Sequence, residues 1–431
     1  MSTFIPEIEK STPADIRVHQ NSKLIEALAY LNDNSIFYQA LFEKNQIDIV
    51  KIKSVEDLSL IPTTSKDDLQ KHNDDFICVG KEKIVDYITT SGTLGDPVTF
   101  AMTNADLDRL AYNEQISFGC AGLDSNDTVQ LTVTNDRRFM AGKAYFLGLR
   151  KLGAASIRVG PGIPELQFDS IERFEPSTLV LVPSFILKMV EYAEAHNIDY
   201  KRSSVRKAVC IGESLRNADF SLNALGQKIK DKWDIHLYST YASTEMGTAF
   251  TECEEGIGGH HHPEMIIVEF LDEEGKPVPE GQAGEVTITS LGVEAMPLLR
   301  FKTGDICHHH LEKCKCGRTT MRLGPVIGRK QQMIKYKGTA LYPPALYDIL
   351  NGIDSVQNYV VEVSTNDFGT DEILIKIGID DPSQASIKSL KDHFRAKLRV
   401  APEIEFHTSA EIASIQFPEM NRKPILFFDK R

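Results

Sequence analysis

Residues 88–97 read Ile-Thr-Thr-Ser-Gly-Thr-Leu-Gly-Asp-Pro. Gly92 and Gly95 let the backbone turn tightly and aim N–H groups at an anion, while Thr89, Thr90, Ser91 and Thr93 add hydroxyl donors. This is a neutral phosphate cradle and not a Walker loop, which needs GxxxxGK followed by Ser or Thr. A Ser- and Thr-rich hairpin turn accounts for the same residues. Downstream lie Tyr241-Ala242-Ser243-Thr244-Glu245 and a Thr-Gly-Asp ending at Asp305. A bound nucleotide needs an aromatic face for its base, a carboxylate for its ribose hydroxyls and another for its magnesium. Taken singly, such a Glu is ordinarily solvated or a helix cap, and such an Asp a turn residue. Cys314 and Cys316 form a knuckle-like CxC with Gly317 permitting the turn, so both thiolates could reach one tetrahedral zinc. Cys253 and one of His260, His261 and His262 could complete a Cys3His set; packed thiols beside an exposed histidine loop are the alternative. A competing set draws on Cys307 and His308 to His310, where consecutive strand positions point to opposite faces.

The order of these segments carries more than any one of them. SGTLG, YASTE, RFKTGD, GRKQQMIKYKG and a late Lys resemble the adenylate-forming superfamily of acyl-CoA synthetases, adenylation domains and luciferases, and within it the phenylacetate–coenzyme A ligases. The resemblance runs from Val55–Leu69 through Gly212-Glu213 to the C-terminal Asp-Lys-Arg. It implies an α/β fold: a large N-terminal adenylate-forming domain with a β subdomain over 1–327, and a small mobile α+β domain over 328–431. It also implies an ATP-dependent acid–thiol ligase. Such an enzyme converts a small, phenylacetate-like or otherwise apolar carboxylic acid to the acyl-adenylate and then to the coenzyme A thioester, releasing pyrophosphate and AMP.

The roles implied are these. Thr90, Ser91, Gly92, Thr93 and Gly95 clasp the ATP phosphates, Tyr241 stacks on adenine, and Gly212 and Glu213 line the adenine pocket. Asp305 binds the ribose, Thr244 touches the α-phosphate, Glu245 holds Mg2+, and Lys423 is the catalytic lysine. Phe139, Ala144 and Tyr145 fall in the stretch that shapes the acyl pocket. Some relatives carry a zinc, and matching the Ile266–Phe270 strand to theirs favours Cys253, His260, Cys314 and Cys316, with His261 as the alternative histidine. A closed Cys3His set makes that zinc structural. Three positions depart from the family pattern: Asp96 stands where a lysine is usual, Gln331 replaces the carboxylate of the GRxDD hinge, and Arg422-Lys423-Pro424 replaces Gly-Lys. Two other readings use the same residues: adenylation with a different acceptor, or a nucleotide- or acyl-CoA-binding homologue with little turnover.

These residues need a layered scaffold. Short β-branched runs at Thr128–Thr134, Thr178–Val182, Lys207–Ile211 and His236–Tyr241 alternate with helical patterns, which is α/β layering. After Val182, Phe185, Ile186, Met189, Val190 and Ala193 share a helical face, with Pro183 at the helix start. Two β runs between Met265 and Leu291 flank a turn-forming segment and suggest an antiparallel subdomain. Near the N-terminus Leu24, Leu28 and Leu31, then Ile36, Phe37 and Leu41, are expected to pack. The last hundred residues predict strands at Glu372–Ile379 and Ile404–His407 around a helix from Ser383 to about Leu398.

Composition narrows the class. The 431 residues suit two domains, and 42% hydrophobic with 25% charged residues is ordinary for a globular protein. A net charge of −13 without a basic tract argues against nucleic acid and leaves phosphate binding to local N–H groups. No run reaches the roughly 18 apolar residues of a membrane span, and seven scattered Cys suit a reducing compartment, so a cytoplasmic location with no membrane partner is expected. The expected partners are the acid, ATP and coenzyme A, and the resemblance leaves room for a homodimer.

Overall fold

A parallel strand covered on both faces reads as a continuous apolar run, and Thr178–Leu181, buried at all four positions, is such a strand. It lies within a six-stranded sheet in the order Ala155–Arg158, Thr128–Leu131, Thr178–Leu181, Lys207–Ile211, His236–Ser243, Thr248–Thr251. The first five strands are parallel and the last antiparallel to its neighbour. The computed structural model describes residues 4–90, 98–337, 339–366, 370–379, 387–418 and 424–431. They fall into two compact units, the larger comprising Met1–Leu222, Gly226–Thr303 and Cys307–Pro325, the smaller Asn223–Leu225, Gly304–Ile306 and Val326–Arg431.

In the larger unit, helices Met140–Leu152, Pro164–Phe174 and Pro183–Ala195 connect the strands. The last buries Ile186, Met189, Val190 and Ala193 as expected, with Pro183 in its first turn. Helix Asn104–Cys120 packs against Met140–Leu152 at Gly148, where a Cβ would run into Glu114. Phe118, Tyr145 and Leu149 from this pair join Val129, Leu131 and Val180 of the sheet in one core. Because the chain steps outward from Thr128–Leu131 to Ala155–Arg158 and back to Thr178–Leu181, a crevice opens at the carboxyl ends of the strands, where α/β folds bind ligands. Thr132, Gly160, Pro183 and Gly212 follow the strands at that edge.

Helix Pro13–Asn34, capped by Thr12, buries Leu24, Leu28 and Leu31. The next helix keeps Phe37, stacked on Phe76, and Leu41 half-buried and differs from expectation at Ile36. Ser35 accepts from the Tyr38 N–H and starts a new helix at Ile36, resetting the phase so that Tyr38 and Phe42 are buried and Ile36 is 63% exposed. Ile266–Leu271 and Gly284–Ser290 pair antiparallel, from Ile266 opposite Ser290 to Leu271 opposite Glu285. No helix among the described residues is long and apolar enough to cross a membrane.

The smaller unit is α+β. Its sheet runs Glu403–His407, Asp371–Gly378, Asn358–Thr365, Phe427–Asp429, antiparallel at the centre and parallel at each edge. Alternate residues Val361, Val363, Ile373, Ile375 and Ile377 meet Leu346, Leu350 and Phe394 of helices Pro343–Asn351 and Ile387–Leu398.

Candidate functional site

Strand His236–Ser243 reverses into Thr248–Thr251 through a turn of Thr244, Glu245, Met246 and Gly247. The Met246 N–H donates to Ser243 Oγ at 3.3 Å and the Gly247 N–H to the Ser243 carbonyl at 3.3 Å. Gly247 takes φ +53°, a conformation that favours glycine. Met246 is fully buried and pins the turn. Thr244 and Glu245 are left half-buried at a largely apolar cleft to which Ile88, Met102, Arg109 and Met140 also contribute. Tyr241, also half-buried, lies opposite Phe250 in register, ring centroids 6.0 Å apart.

Asp86–Thr89 and Thr99–Met102, the strands on either side of the cradle segment, pair antiparallel. Thr90 continues the pairing: its N–H donates to the Val98 carbonyl at 3.0 Å, and its Oγ1 accepts from the Val98 N–H at 3.1 Å. Ser91, Gly92, Thr93, Gly95 and Asp96 lie outside the described residues, as does Lys423. Ile88 of this strand pair and Thr244 and Glu245 face the same cleft, so the larger unit brings two of the sequence segments together.

Gly212 turns the chain with φ +79°. Glu213 is engaged in the scaffold: its carboxylate accepts from the Ser184 N–H at 2.8 Å and the Ser184 hydroxyl at 2.9 Å, capping helix Pro183–Ala195. Asp305, in the smaller unit, is buried and accepts from Arg329 Nε at 3.1 Å, the two residues being strand partners. Ala144 and Tyr145 are core residues; burial carries the Tyr145 phenol well above its ordinary pKa. Phe139, half-buried, precedes their helix.

The sulfur and nitrogen donors of Cys253, His260, Cys314 and Cys316 all lie within 4.8 Å of one another. Cys253 Sγ and Cys314 Sγ are 3.6 Å apart, and Cys316 Sγ is 3.4 Å from His260 Nε2. Tetrahedral zinc with Zn–S of about 2.3 Å and Zn–N of about 2.0 Å spaces its donors about 3.5–3.8 Å apart, and these two spacings suit that ion. His260 pairs with Arg322 across a short ladder, and Gly317, at φ +98°, turns the CxC loop. His261 points elsewhere, its Nε2 2.6 Å from the Ile266 carbonyl and its ring stacked near Phe250. The other set disperses: His308 meets the Gly281 carbonyl, His309 stacks on Phe270 and His310 meets Phe220 edge to face. Cys253, donating to Cys316, and His260 beside it hold the Cys316 thiol well below its usual range.

Several polar groups were not found from sequence. Arg109 donates to the carbonyls of Leu291, Gly247 and Met265, and burial lowers its pKa to about 10. Asp106 caps its own helix through Thr103 and accepts from the N–H groups of Glu294 and Ala295. Glu114, buried beside Gly148, is pushed up to about 8 by desolvation. The Thr103-to-Asp106 capping box is a readable signal; Arg109, with partners 138 to 182 residues away, has none.

The AMP-binding enzyme family matches residues 26–295. A phenylacetate–coenzyme A ligase of Thermus thermophilus is 28% identical over 384 residues, 88% of this chain and 85% of that protein. One of Escherichia coli (strain K12) is 25% identical over 396 residues, covering 89% and 86%. Among solved structures, 2-hydroxyisobutyryl-CoA ligase in the postadenylation state superposes with a TM-score of 0.84 at 20% identity, covering 100% of this chain and 95% of that one, a likeness of fold. The chain belongs to the AMP-binding enzyme family, as a phenylacetate–coenzyme A ligase-like adenylate-forming enzyme.

Proposed function

We propose that this enzyme joins a small apolar acid, aromatic and phenylacetate-like, to coenzyme A in two steps at one site. In the first, a carboxylate oxygen attacks the α-phosphorus of ATP and the bond to pyrophosphate breaks, giving the acyl-adenylate. In the second, the thiol sulfur attacks the acyl carbon, its proton passes to solvent, and AMP leaves. No side-chain nucleophile is needed, so positioning and charge stabilisation supply most of the catalysis. The observation that carries this reading is the shared cleft of the strand pair flanking the cradle segment and the Thr244–Glu245 turn.

In this reading Thr244 contacts the α-phosphate and Glu245 holds Mg2+, which when bound offsets phosphate charge. Thr90, Ser91, Gly92, Thr93 and Gly95 cradle the outer phosphates, Tyr241 stacks on adenine beside Gly212 and Glu213, and Asp305 takes the ribose. Lys423, carried by a C-terminal domain over 328–431, completes the first step. Ala144, Tyr145 and Phe139 bound the acyl group. Cys253, His260, Cys314 and Cys316 would hold a structural zinc, which closes a loop of the larger domain and leaves no position for chemistry.

Pyrophosphate release with a panel of aryl and alkyl acids, each with and without coenzyme A, tests the reading. Release with an apolar acid, and thioester on adding coenzyme A, is expected. Release without thioester assigns another acceptor, and nucleotide binding without release makes the protein a binding homologue. Glu245→Gln should abolish release with the fold intact; parental rates would remove Glu245 from the site.

A further inference from the structure

Helix Asn104–Cys120 presents a ladder of polar side chains to the segments around the Thr244–Glu245 turn. Asn113 Oδ1 accepts from the Ala249 N–H at 3.0 Å, and the Tyr112 hydroxyl donates to Glu264 Oε1 at 2.9 Å. Arg109, one turn before Asn113, reaches furthest. Its Nη1 donates to the Gly247 carbonyl at 2.8 Å, Nη2 to Thr248 Oγ1 at 3.3 Å and the Met265 carbonyl at 2.6 Å, and Nε to the Leu291 carbonyl at 2.7 Å. All four acceptors are uncharged, and they come from three separate stretches of chain. A guanidinium serves them because its donors form a rigid planar fork; an ammonium on a flexible stem is a single point.

We propose that Arg109 is the positioning residue for Glu245 and Thr244, fixing their turn against the ends of the Met265 and Leu291 segments so that the metal-binding carboxylate is held in place before nucleotide arrives. This rests on the assignment of Glu245 to the magnesium and nucleotide site. Buried Met246 packs the turn from beneath, and the Met246 and Gly247 N–H groups bond back to Ser243 within the hairpin; the Arg109 bonds tie its backbone to the Met265 and Leu291 segments. Gly247 is the contact point from the other side, where a Cβ would come within 3.4 Å of Arg109 Nη1 at a φ of +53°.

The test is Arg109→Lys, assayed for acid-dependent pyrophosphate release at varied Mg2+ and varied acid, beside Glu245→Gln and with melting curves. A displaced turn lowers kcat by up to about a hundredfold and raises the half-saturating Mg2+ concentration, while the KM for the acid stays within about twofold. If Arg109→Lys does not fold, Gly247→Ala disturbs the same contact from the turn and should show the same Mg2+-specific defect. Parental kcat and Mg2+ dependence in the variant, with Glu245→Gln inactive, overturns the positioning role and leaves the site assignment standing. A loss of kcat with unchanged Mg2+ dependence and a raised acid KM overturns it as well, since a general disturbance gives that pattern. Parental release in Glu245→Gln removes the site assignment, and the positioning role with it.

Discussion

Arg318 Nε donates to Glu9 Oε2 at 2.7 Å inside the protein, tying the start of the chain to the loop that carries Cys314 and Cys316. The other oxygen of Glu9 meets His262 Nδ1 at 2.5 Å, and Arg318 Nη1 lies 3.6 Å from Cys316 Sγ. Thr319 adds bonds to the carbonyls of Glu9 and Ser11. Burial opposes ionisation of Glu9, and His262 and Arg318 outweigh it, so its pKa lies below the ordinary value. Glu9→Ala strands the buried Arg318 and should lower unfolding free energy by about 3–5 kcal/mol. Denaturant titration measures this; a change below about 1 kcal/mol is what a surface pair gives.

The Cys3His quartet predicts a second loss. Cys314→Ser removes a donor from the Cys253, His260, Cys314, Cys316 set. Purified parent should carry zinc at one ion per chain and the variant none, with a lower melting temperature, since ligand binding to the native state alone adds to its stability. His261→Ala should keep the ion, because its ring meets the Ile266 carbonyl. Equal metal content in parent and Cys314→Ser would refute the assignment.

How far these features could be read in advance depends on the range of the interactions that make them. Lys207–Ile211 was legible to the residue because a strand's apolar run is local. On helix Ile36–Lys44 only Ile36 was misread: the Ser35 cap starts the helix so that Tyr38 and Phe42 are its buried residues, while Phe37, stacked on Phe76, and Leu41 stay half-buried beside them. The CxC was legible by itself, whereas Cys253, 61 residues from Cys314, and His260 among three adjacent histidines were favoured by the resemblance alone. Arg109 looked like any helical arginine because every partner it has is distant in sequence.

Glu114 gives the protein a pH dependence of predictable sign. Burial pushes its carboxyl from the ordinary 4.5 up to about 8, and Asn113 Nδ2 donates to its Oε1. Folded chains keep this proton where unfolded chains have lost it, so stability is greatest below pH 4.5 as far as this group is concerned and falls as pH rises toward 8. Glu114→Gln keeps the shape and the Asn113 contact and removes the titration. At pH 8 the variant should be the more stable protein by a few kcal/mol, with about 5 kcal/mol as the ceiling at 1.4 kcal/mol per pH unit. Unfolding curves of both proteins from pH 5 to 8 check it: parallel pH profiles would mean that Glu114 is ionised in the native state.

Arg431 clamps the turn that replaces the family's hinge sequence. Within the smaller unit its Nη1 donates to the Met333 carbonyl at 2.8 Å and Asp371 Oδ2 at 3.0 Å. Its Nη2 reaches the Gln331 carbonyl at 3.3 Å and Asp429 Oδ2 at 2.6 Å. Gln331 has an amide where the hinge carboxylate is usual, and the bonds to residues 331 and 333 go to backbone carbonyls, so they hold the turn Lys330–Gln332 whatever side chain it carries. The resemblance implies that this turn is the pivot between adenylation and thioester formation, and we propose that role for it. Arg431→Ala should therefore cost about 1–3 kcal/mol for the lost charge-assisted bonds and expose the 330–333 segment to proteolysis. It should also change the ratio of thioester formation to pyrophosphate release more than it changes acid-dependent release itself. Single-turnover measurement of the two half-reactions separates these effects. Equal slowing of both steps would assign Arg431 to stability alone, and an unchanged proteolytic pattern would show that the turn is held without it.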